Sequence, residues 1–188
     1  MLQLPTRQML AGLALIFFSL TNAATALDDP GPKVGDTLPT ALNTVDSKGN
    51  PQSFSTVTGE KGAVLVFFRS ADWCPYCQRQ LINLEKIASD VSATGYSLVG
   101  ISYDDPEKLA KFAGRKGISF TLLSDKGSVV IDELGIRNPT YPADHYASGV
   151  PHPTVLVVSE DGVIEDKFFS DDYKVRPETE VILSAVSD

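Results

Sequence analysis

Short runs of apolar residues alternate with amphipathic stretches along most of the chain. Residues 63–68 are apolar throughout and rich in β-branched and aromatic side chains, which predicts a strand buried on both faces. Similar patterns predict four more strands, over residues 96–102, 119–123, 154–159 and 163–169. The last two form a hairpin around the turn Glu160-Asp161-Gly162.

Helices are predicted between these strands. After Cys74, apolar residues recur at helical spacing, namely Cys77, Leu81, Leu84, Ala88 and Val91. Gly95 ends this helix. An acidic start and Pro106 predict a second helix to about residue 116, and shorter ones follow over residues 128–134 and 177–186. This order predicts an α/β fold, with a central mixed β-sheet, parallel at its centre, flanked by helices on both faces.

The first 26 residues have the layout of a secretory signal peptide. Arg7 supplies a positive charge, residues 9–20 form an apolar run, and Ala24-Thr25-Ala26 is a small-x-small cleavage site before Leu27. We therefore expect export to the periplasm, or secretion. The alternative is an uncleaved membrane anchor, for which the run is short against the ~20 residues of a spanning helix.

The remaining residues, 27–188, suit one domain with a sizeable core. The formal net charge of the 188-residue chain is −8. An acidic surface argues against nucleic acid and against an anionic membrane as partners, so we expect neither after signal cleavage. Residues 27–34, rich in Pro, Gly and Asp, are predicted to be a mobile lead-in.

The chain has two cysteines, Cys74 and Cys77, separated by Pro75 and Tyr76. Exported proteins often use cysteines as structural disulfides. A disulfide that closes so small a loop restricts the unfolded chain little, and a chain of this length can fold without a structural disulfide. The spacing therefore favours a reactive pair over a structural one.

The chemistry of such a pair follows from its place at a helix start. If the helix begins near Cys74, unpaired backbone N–H groups and the helix dipole favour the Cys74 thiolate. Pro75 suits the first helical position, and Cys77 lies one turn further along. We expect Cys74 to be the more exposed and to attack, and Cys77 to resolve the mixed disulfide.

Zinc sites use the same cysteine spacing, but they need two further ligands. His145 and His152 are the candidates, and they lie far downstream and seven residues apart. We therefore expect no metal ion.

Three segments together resemble a known family. Residues 67–77 (Phe-Phe-Arg-Ser-Ala-Asp-Trp-Cys-Pro-Tyr-Cys), 150–154 and 160–162 are similar to the AhpC/TSA-type redoxin, or peroxiredoxin-like, branch of the thioredoxin superfamily. The resemblance covers roughly residues 34–170. It implies a thioredoxin fold, redox activity and catalytic roles for Cys74, Cys77 and Pro153. In the superfamily the proline at the position of Pro153 is cis and faces the cysteine pair.

Two departures from that family bear on the activity. Peroxiredoxins place Thr or Ser three residues before the peroxidatic cysteine and Pro seven before it, where this chain has Ala71 and Phe67. Ser70 is one residue out of register. Thioredoxin carries a buried Asp six residues before its first cysteine, where this chain has Phe68.

Three neighbours of the pair are candidate substrate-binding residues: Trp73, Tyr76 and His152. Trp73 either shapes a docking surface or packs beside the helix start, and Tyr76 is predicted to be exposed. His152 either lies near Cys74 and stabilises its thiolate as an imidazolium, or is a solvent-exposed loop residue. The surrounding segment, residues 136–153, either forms a loop over the rim of the site or is a disordered connector.

The main hypothesis is a thiol–disulfide oxidoreductase that cycles Cys74 and Cys77 in an oxidising compartment, without a cofactor. Its partners would be protein thiols or disulfides, or a reducing partner protein. One alternative is a peroxiredoxin-like antioxidant that reduces hydroperoxides. Another is a binding module that retains the fold without turnover, although such a module has no use for a reactive dithiol.

Overall fold

The computed structural model describes Met1 and residues 29–187, so the predicted signal peptide lies outside the described residues. Its strands are β1 (Thr44–Asp46), β2 (Pro51–Gln52), β3 (Gly62–Phe67), β4 (Tyr96–Ser102), β5 (Thr121–Ser124), β6 (Thr154–Ser159) and β7 (Ile164–Phe169). Its helices are α1 (Phe54–Val57), α2 (Pro75–Glu85), α3 (Ala88–Ala93), α4 (Pro106–Lys116), α5 (Val129–Glu133) and α6 (Thr179–Ser184). Among the described residues, no helix has the length and apolar character needed to cross a membrane.

The seven strands form one mixed sheet in the order β2-β1-β5-β4-β3-β6-β7. The central strands β3, β4 and β5 pair in parallel, and the remaining pairs are antiparallel. All six residues of β3 are buried, as expected for a strand with neighbours on both sides and helices on both faces. The predicted α/β class and parallel centre are confirmed.

Alternate residues of β3 supply the cores on the two faces of the sheet. Ala63, Leu65 and Phe67 lie in one core with residues of α1 and α5. Val64 and Val66 lie in the other with residues of α2, α3 and α6. A third cluster, at the end of β3, joins α2 and α4 and contains both cysteines. The site is therefore built where the central strand ends.

The helix predicted after Cys74 is present as two helices, α2 and α3. Between them, the N–H groups of Lys86 and Ile87 donate to carbonyls three residues back, each at 3.1 Å. The Glu85 carboxylate at the end of α2 accepts from the backbone N–H of Ser119 at 2.8 Å and from its hydroxyl at 2.7 Å. Val91 in α3 still faces the core. The helical spacing of apolar residues therefore continues across the break, and the sequence does not show where α2 ends.

Two regions near the start of the described chain differ from expectation. The short elements β1, β2 and α1 were not predicted, because elements of two to four residues show no periodicity. The lead-in is bound to β7: the Lys167 ammonium donates to the carbonyls of Pro30 at 2.6 Å and Pro32 at 2.9 Å and pairs with Asp29 at 2.8 Å. No local sequence pattern predicts these long-range contacts.

Gly62 opens β3 at a point where a side chain has no room. A Cβ there would collide with the Val158 carbonyl oxygen and lie 2.8 Å from a ring carbon of Tyr96. We expect Gly62→Ala to lower the free energy of unfolding by about 3 kcal/mol, measured by urea denaturation. Gly114→Ala in α4, where a Cβ meets nothing within 4 Å, is the control and should raise it by up to about 1 kcal/mol. Equal effects of the two would contradict this explanation.

Candidate active site

Cys74 is the N-cap residue of α2 and forms a disulfide with Cys77, with the two Cα atoms 5.3 Å apart. The backbone N–H of Cys77 donates to the Cys74 sulfur at 3.3 Å. The N–H of Gln78 donates to the Cys74 carbonyl at 3.0 Å. The sulfur thus takes the place of the oxygen that usually caps a helix. A donor in this position stabilises a thiolate on Cys74.

Both cysteines are buried in the disulfide form. Cys74 was expected to be the more exposed of the two, but it is 1 % exposed and Cys77 is 0 % exposed. They lie in an apolar cluster with Phe68 and Leu81, and Trp73 and Tyr76 are partly buried against it. A thiol that attacks Cys74 must therefore displace part of this cover.

The turn before Cys74 is held by the carboxylate of Asp104, a residue that the sequence pattern predicts only as part of the acidic start of α4. Asp104 accepts hydrogen bonds from the Ser70 hydroxyl at 2.8 Å, the Ala71 N–H at 2.7 Å and the Ser102 hydroxyl at 3.1 Å. Burial raises the pKa of Asp104, and these hydrogen bonds oppose the rise. Parallel strands end at the same edge of the sheet, which is the signal that would have placed Asp104 beside this turn.

Ser70 is committed to the turn. Besides donating to Asp104, its hydroxyl oxygen accepts the N–H groups of Asp72 at 3.0 Å and Trp73 at 3.3 Å, and the residue is fully buried. Ser70 therefore does not replace the hydroxyl that is missing at Ala71. Asp72 is exposed, and its carboxylate pairs with the Lys108 ammonium at 3.1 Å.

Arg69 is a buried cation surrounded by aromatic rings. Among the described residues it forms no ion pair with a carboxylate. It donates a hydrogen bond through Nη2 to the Tyr141 hydroxyl at 2.7 Å. It also lies 4.9 Å from the Trp73 ring centroid and 4.3 Å from that of Tyr173. Cation–π contacts of this kind hold the rim of the site together.

The segment from residue 136 to 153 forms one side of that rim, which favours the loop over the disordered connector. The Trp73 and Tyr146 rings meet edge to face at 5.1 Å. The Trp73 indole N–H donates to the Tyr103 hydroxyl at 3.1 Å, which donates to the Tyr146 carbonyl at 2.8 Å. His145 stacks on Tyr141 at 4.9 Å.

The segment between β7 and α6 forms the other side of the rim. The sequence pattern does not predict that it contacts the cysteines. The Arg176 guanidinium donates to Gln80 Oε1 at 2.8 Å and, through Nη2, to the Cys77 sulfur at 3.6 Å. Burial, with help from the nearby charge of Arg69, lowers the pKa of Arg176 to about 10. Tyr76, expected to be exposed, is partly buried with its ring edge-on to Tyr173 at 5.8 Å.

His152 fits neither of its two interpretations. It is partly buried, and its ring lies edge-on to Phe169 at 5.7 Å. Burial lowers the pKa of His152, so the neutral imidazole dominates at neutral pH and an imidazolium that stabilises a thiolate is disfavoured. Its backbone N–H donates to the Ile136 carbonyl at 2.8 Å.

Pro153 is buried directly before β6 and lines a cleft of about 300 Å³ together with Gln80, Phe169 and Arg176. None of the peptide bonds in the described residues is cis, so the cis geometry implied by the family resemblance is absent. The preceding residues pair with residues 136–138 through a bridge between Arg137 and Pro151. This pairing holds the approach to Pro153 in an extended conformation.

The placement of His152 leads to a prediction about the reactive thiol. In the Cys77→Ser variant, the pKa of Cys74 should lie below the free-cysteine value of ~8.5, because of the donor at its sulfur. Adding His152→Ala should leave that pKa unchanged, because the neutral imidazole contributes no charge. Thiolate absorbance against pH measures both. A rise in the Cys74 pKa on loss of His152 would show that the imidazolium acts on the thiolate after all.

Comparison with known proteins agrees with this site. Residues 34–167 match the AhpC/TSA family. The peroxiredoxin Bcp of Escherichia coli is 30% identical over 152 residues, which are 81% of this chain and 94% of that protein. The thiol-disulfide oxidoreductase ResA of Halalkalibacterium halodurans is 31% identical over 105 residues, 55% of this chain and 51% of that one.

A solved structure gives the same result. The crystal structure of peroxidoxin BcpB from Mycobacterium tuberculosis superposes with a TM-score of 0.69 at 25% identity, and the match covers 82% of this chain and 96% of that one. The thioredoxin fold and the family resemblance are confirmed, and an enzyme is favoured over a binding module. The chain therefore belongs to the AhpC/TSA family and is a thiol-dependent oxidoreductase.

Proposed function

We propose that this chain catalyses thiol–disulfide exchange with partner proteins, with Cys74 as the attacking and Cys77 as the resolving residue. The observation that carries the proposal is the N-cap position of Cys74, whose sulfur accepts the Cys77 N–H at 3.3 Å. That donor stabilises the Cys74 thiolate both when it attacks and when it leaves.

The exchange balances without any other reactant. A partner thiolate attacks the Cys74 sulfur, the bond between the two cysteines breaks, and Cys77 leaves as a thiolate. The second thiolate of the partner then attacks the partner's own sulfur in the mixed disulfide and releases Cys74. The partner loses two electrons and gains a disulfide, and the chain becomes a dithiol. The reverse sequence reduces a partner disulfide.

Peroxide chemistry has less support at this site. A peroxide must be held in line with the thiolate, with hydrogen-bond donors placed for the developing negative charge. Ala71 offers no side-chain donor, and the Ser70 hydroxyl is bound to Asp104 at 2.8 Å. Loss of one such donor typically costs on the order of 100-fold or more in rate.

Reduction of a hydroperoxide is nevertheless a second candidate, favoured by the burial of Cys74. At 1 % exposure, its sulfur is more easily reached by a small molecule than by a protein disulfide. The thiolate would attack the peroxide oxygen and become a sulfenic acid, with water or an alcohol as the leaving product. Attack by Cys77 on that sulfur would release water and form the disulfide.

We also propose that the enzyme works after export, in the periplasm or outside the cell. Support comes from Arg7, the apolar run over residues 9–20 and the Ala24-Thr25-Ala26 site. In such a compartment disulfides form and persist, which suits a chain that cycles through one.

Expression in a secreting host should give a mature protein that begins at Leu27, because cleavage follows the small-x-small site. N-terminal sequencing of the exported material measures this directly. An Ala26→Arg variant, which removes the small residue at the site, is the control and should stay uncleaved. A wild-type protein that retains Met1 in the exported fraction would make the segment an anchor.

Stopped-flow measurements separate the two candidate reactions. We expect the reduced protein to react with a mixed disulfide about 100-fold faster than with hydrogen peroxide, because the donors for a peroxide are missing. Cys74→Ser should abolish both reactions. Cys77→Ser should retain the first attack and accumulate the mixed disulfide. A peroxide reaction that is the faster by orders of magnitude would make this chain a peroxidase.

A further inference from the structure

Two guanidinium groups near the disulfide lack a carboxylate partner, that of Arg69, which is buried, and that of Arg176, which is partly buried. Neither Arg69 nor Arg176 forms an ion pair within 4.0 Å in the part of the chain that the structure describes. Arg69 is 4 % exposed, and its buried Nε has no hydrogen-bond acceptor. Buried charges in proteins are normally paired, because desolvation of an isolated ion is costly. Unpaired cations in this position would stabilise a negative charge that forms nearby.

The geometry of Arg176 identifies where that charge arises. Its Nε donates to Gln80 at 2.8 Å, and its Nη1 donates to the carbonyls of Tyr173 and, at 2.7 Å, Val175. These contacts fix the plane of the guanidinium and leave Nη2 directed at the Cys77 sulfur, 3.6 Å away. In the disulfide this sulfur is neutral, and it becomes an anion when the disulfide opens.

We propose that Arg176 is a catalytic residue that stabilises the Cys77 sulfur as a thiolate, both as the leaving group when Cys74 is attacked and in the reduced chain. The inference deepens the proposed exchange reaction and rests on it for the leaving-group role. The thiolate in the reduced chain can be tested without any partner protein.

The step needs no proton donor. An incoming thiolate forms a bond to the Cys74 sulfur, the bond to Cys77 breaks, and its electron pair goes to the Cys77 sulfur. The hydrogen bond from the charged Arg176 guanidinium then has an anionic instead of a neutral acceptor, which strengthens it. Exchange is faster when the leaving thiol has a lower pKa.

Without Arg176 the same sulfur lies in unfavourable surroundings. Cys77 is 0 % exposed and packs in a cluster with Phe68 and Leu81. Burial among apolar side chains raises the pKa of a thiol. Opening the disulfide would then place an anion in an apolar cluster, or require a proton to reach it.

Other charges act on Arg176 itself. Burial lowers the pKa of Arg176, repulsion by Arg69 and Arg79 lowers it further, and the Asp172 carboxylate opposes these effects. With a pKa of about 10, Arg176 still carries its charge at neutral pH. A thiolate on Cys77 would favour the charged guanidinium, so each charge stabilises the other.

The first measurement uses Cys74→Ser, in which Cys77 is the remaining thiol. Thiolate absorbance against pH should give Cys77 a pKa below the free-cysteine value of ~8.5. A pKa above that value, as burial alone would produce, would overturn the proposal. This comparison leaves Arg176 in place and so does not depend on how its variants fold.

The second measurement changes the guanidinium in that background. Arg176→Gln should raise the Cys77 pKa by at least about one unit, the size of effect expected for a nearby opposite charge. Arg176→Lys should retain most of the effect. Arg79→Gln is the matched control, because its guanidinium lies over the Tyr76 ring at 5.0 Å, and it should change the pKa little. Equal shifts for Arg176→Gln and Arg79→Gln would overturn a specific role for Arg176.

The third measurement tests the leaving-group role with both cysteines present. Reduction of the disulfide by dithiothreitol should be about tenfold slower in Arg176→Gln than in wild type, and restored by Arg176→Lys. An unchanged rate would overturn this part of the proposal.

The measurements also distinguish this proposal from the proposed function. If exchange with protein disulfides fails while the Cys77 pKa is low and depends on Arg176, the proposed function is wrong and the role of Arg176 as a thiolate partner stands.

Discussion

The rest of the site depends on the hydrogen bonds that the buried Asp104 carboxylate accepts from Ser70 and Ala71. β3 and β4 are parallel neighbours, so the segments that follow them leave the sheet at the same edge. Asp104 follows β4 and binds Ser70 and Ala71, which follow β3. That bridge fixes the turn, the turn fixes where α2 begins, and the start of α2 places a backbone donor at the Cys74 sulfur.

The features that the sequence predicts well are those encoded in neighbouring residues. The apolar run of β3 and the position of Cys74 at a helix start can be read locally, and both agree with the structure. The role of Arg176 could not be predicted, since it comes from a contact with Cys77, 99 positions away. Asp104 contacts Ala71, 33 positions away, and only the shared edge of two parallel strands points to that contact. The sequence gives the chemistry of such side chains but not the surface on which they meet.

Membership of the AhpC/TSA family does not by itself determine the chemistry at Cys74. The match over residues 34–167 establishes the family, yet the residues around Cys74 differ from the peroxiredoxin pattern at Phe67 and Ala71. In this chain, arginines and aromatic rings surround a pair of cysteines within one helical turn. Each sulfur has a donor of its own: the Cys74 sulfur accepts the Cys77 backbone N–H, and the Cys77 sulfur accepts Arg176 Nη2.

The attachment of the lead-in to β7 has a consequence for solubility. β7 is the last strand of the sheet, and a free strand edge is a template for pairing with other chains. Gly35 and Asp36 exchange backbone hydrogen bonds with Ile164, at 2.8 and 2.9 Å, and the Lys167 ammonium binds Pro30 and Pro32 further along. The beginning of the domain therefore shields this edge from strand addition by another molecule.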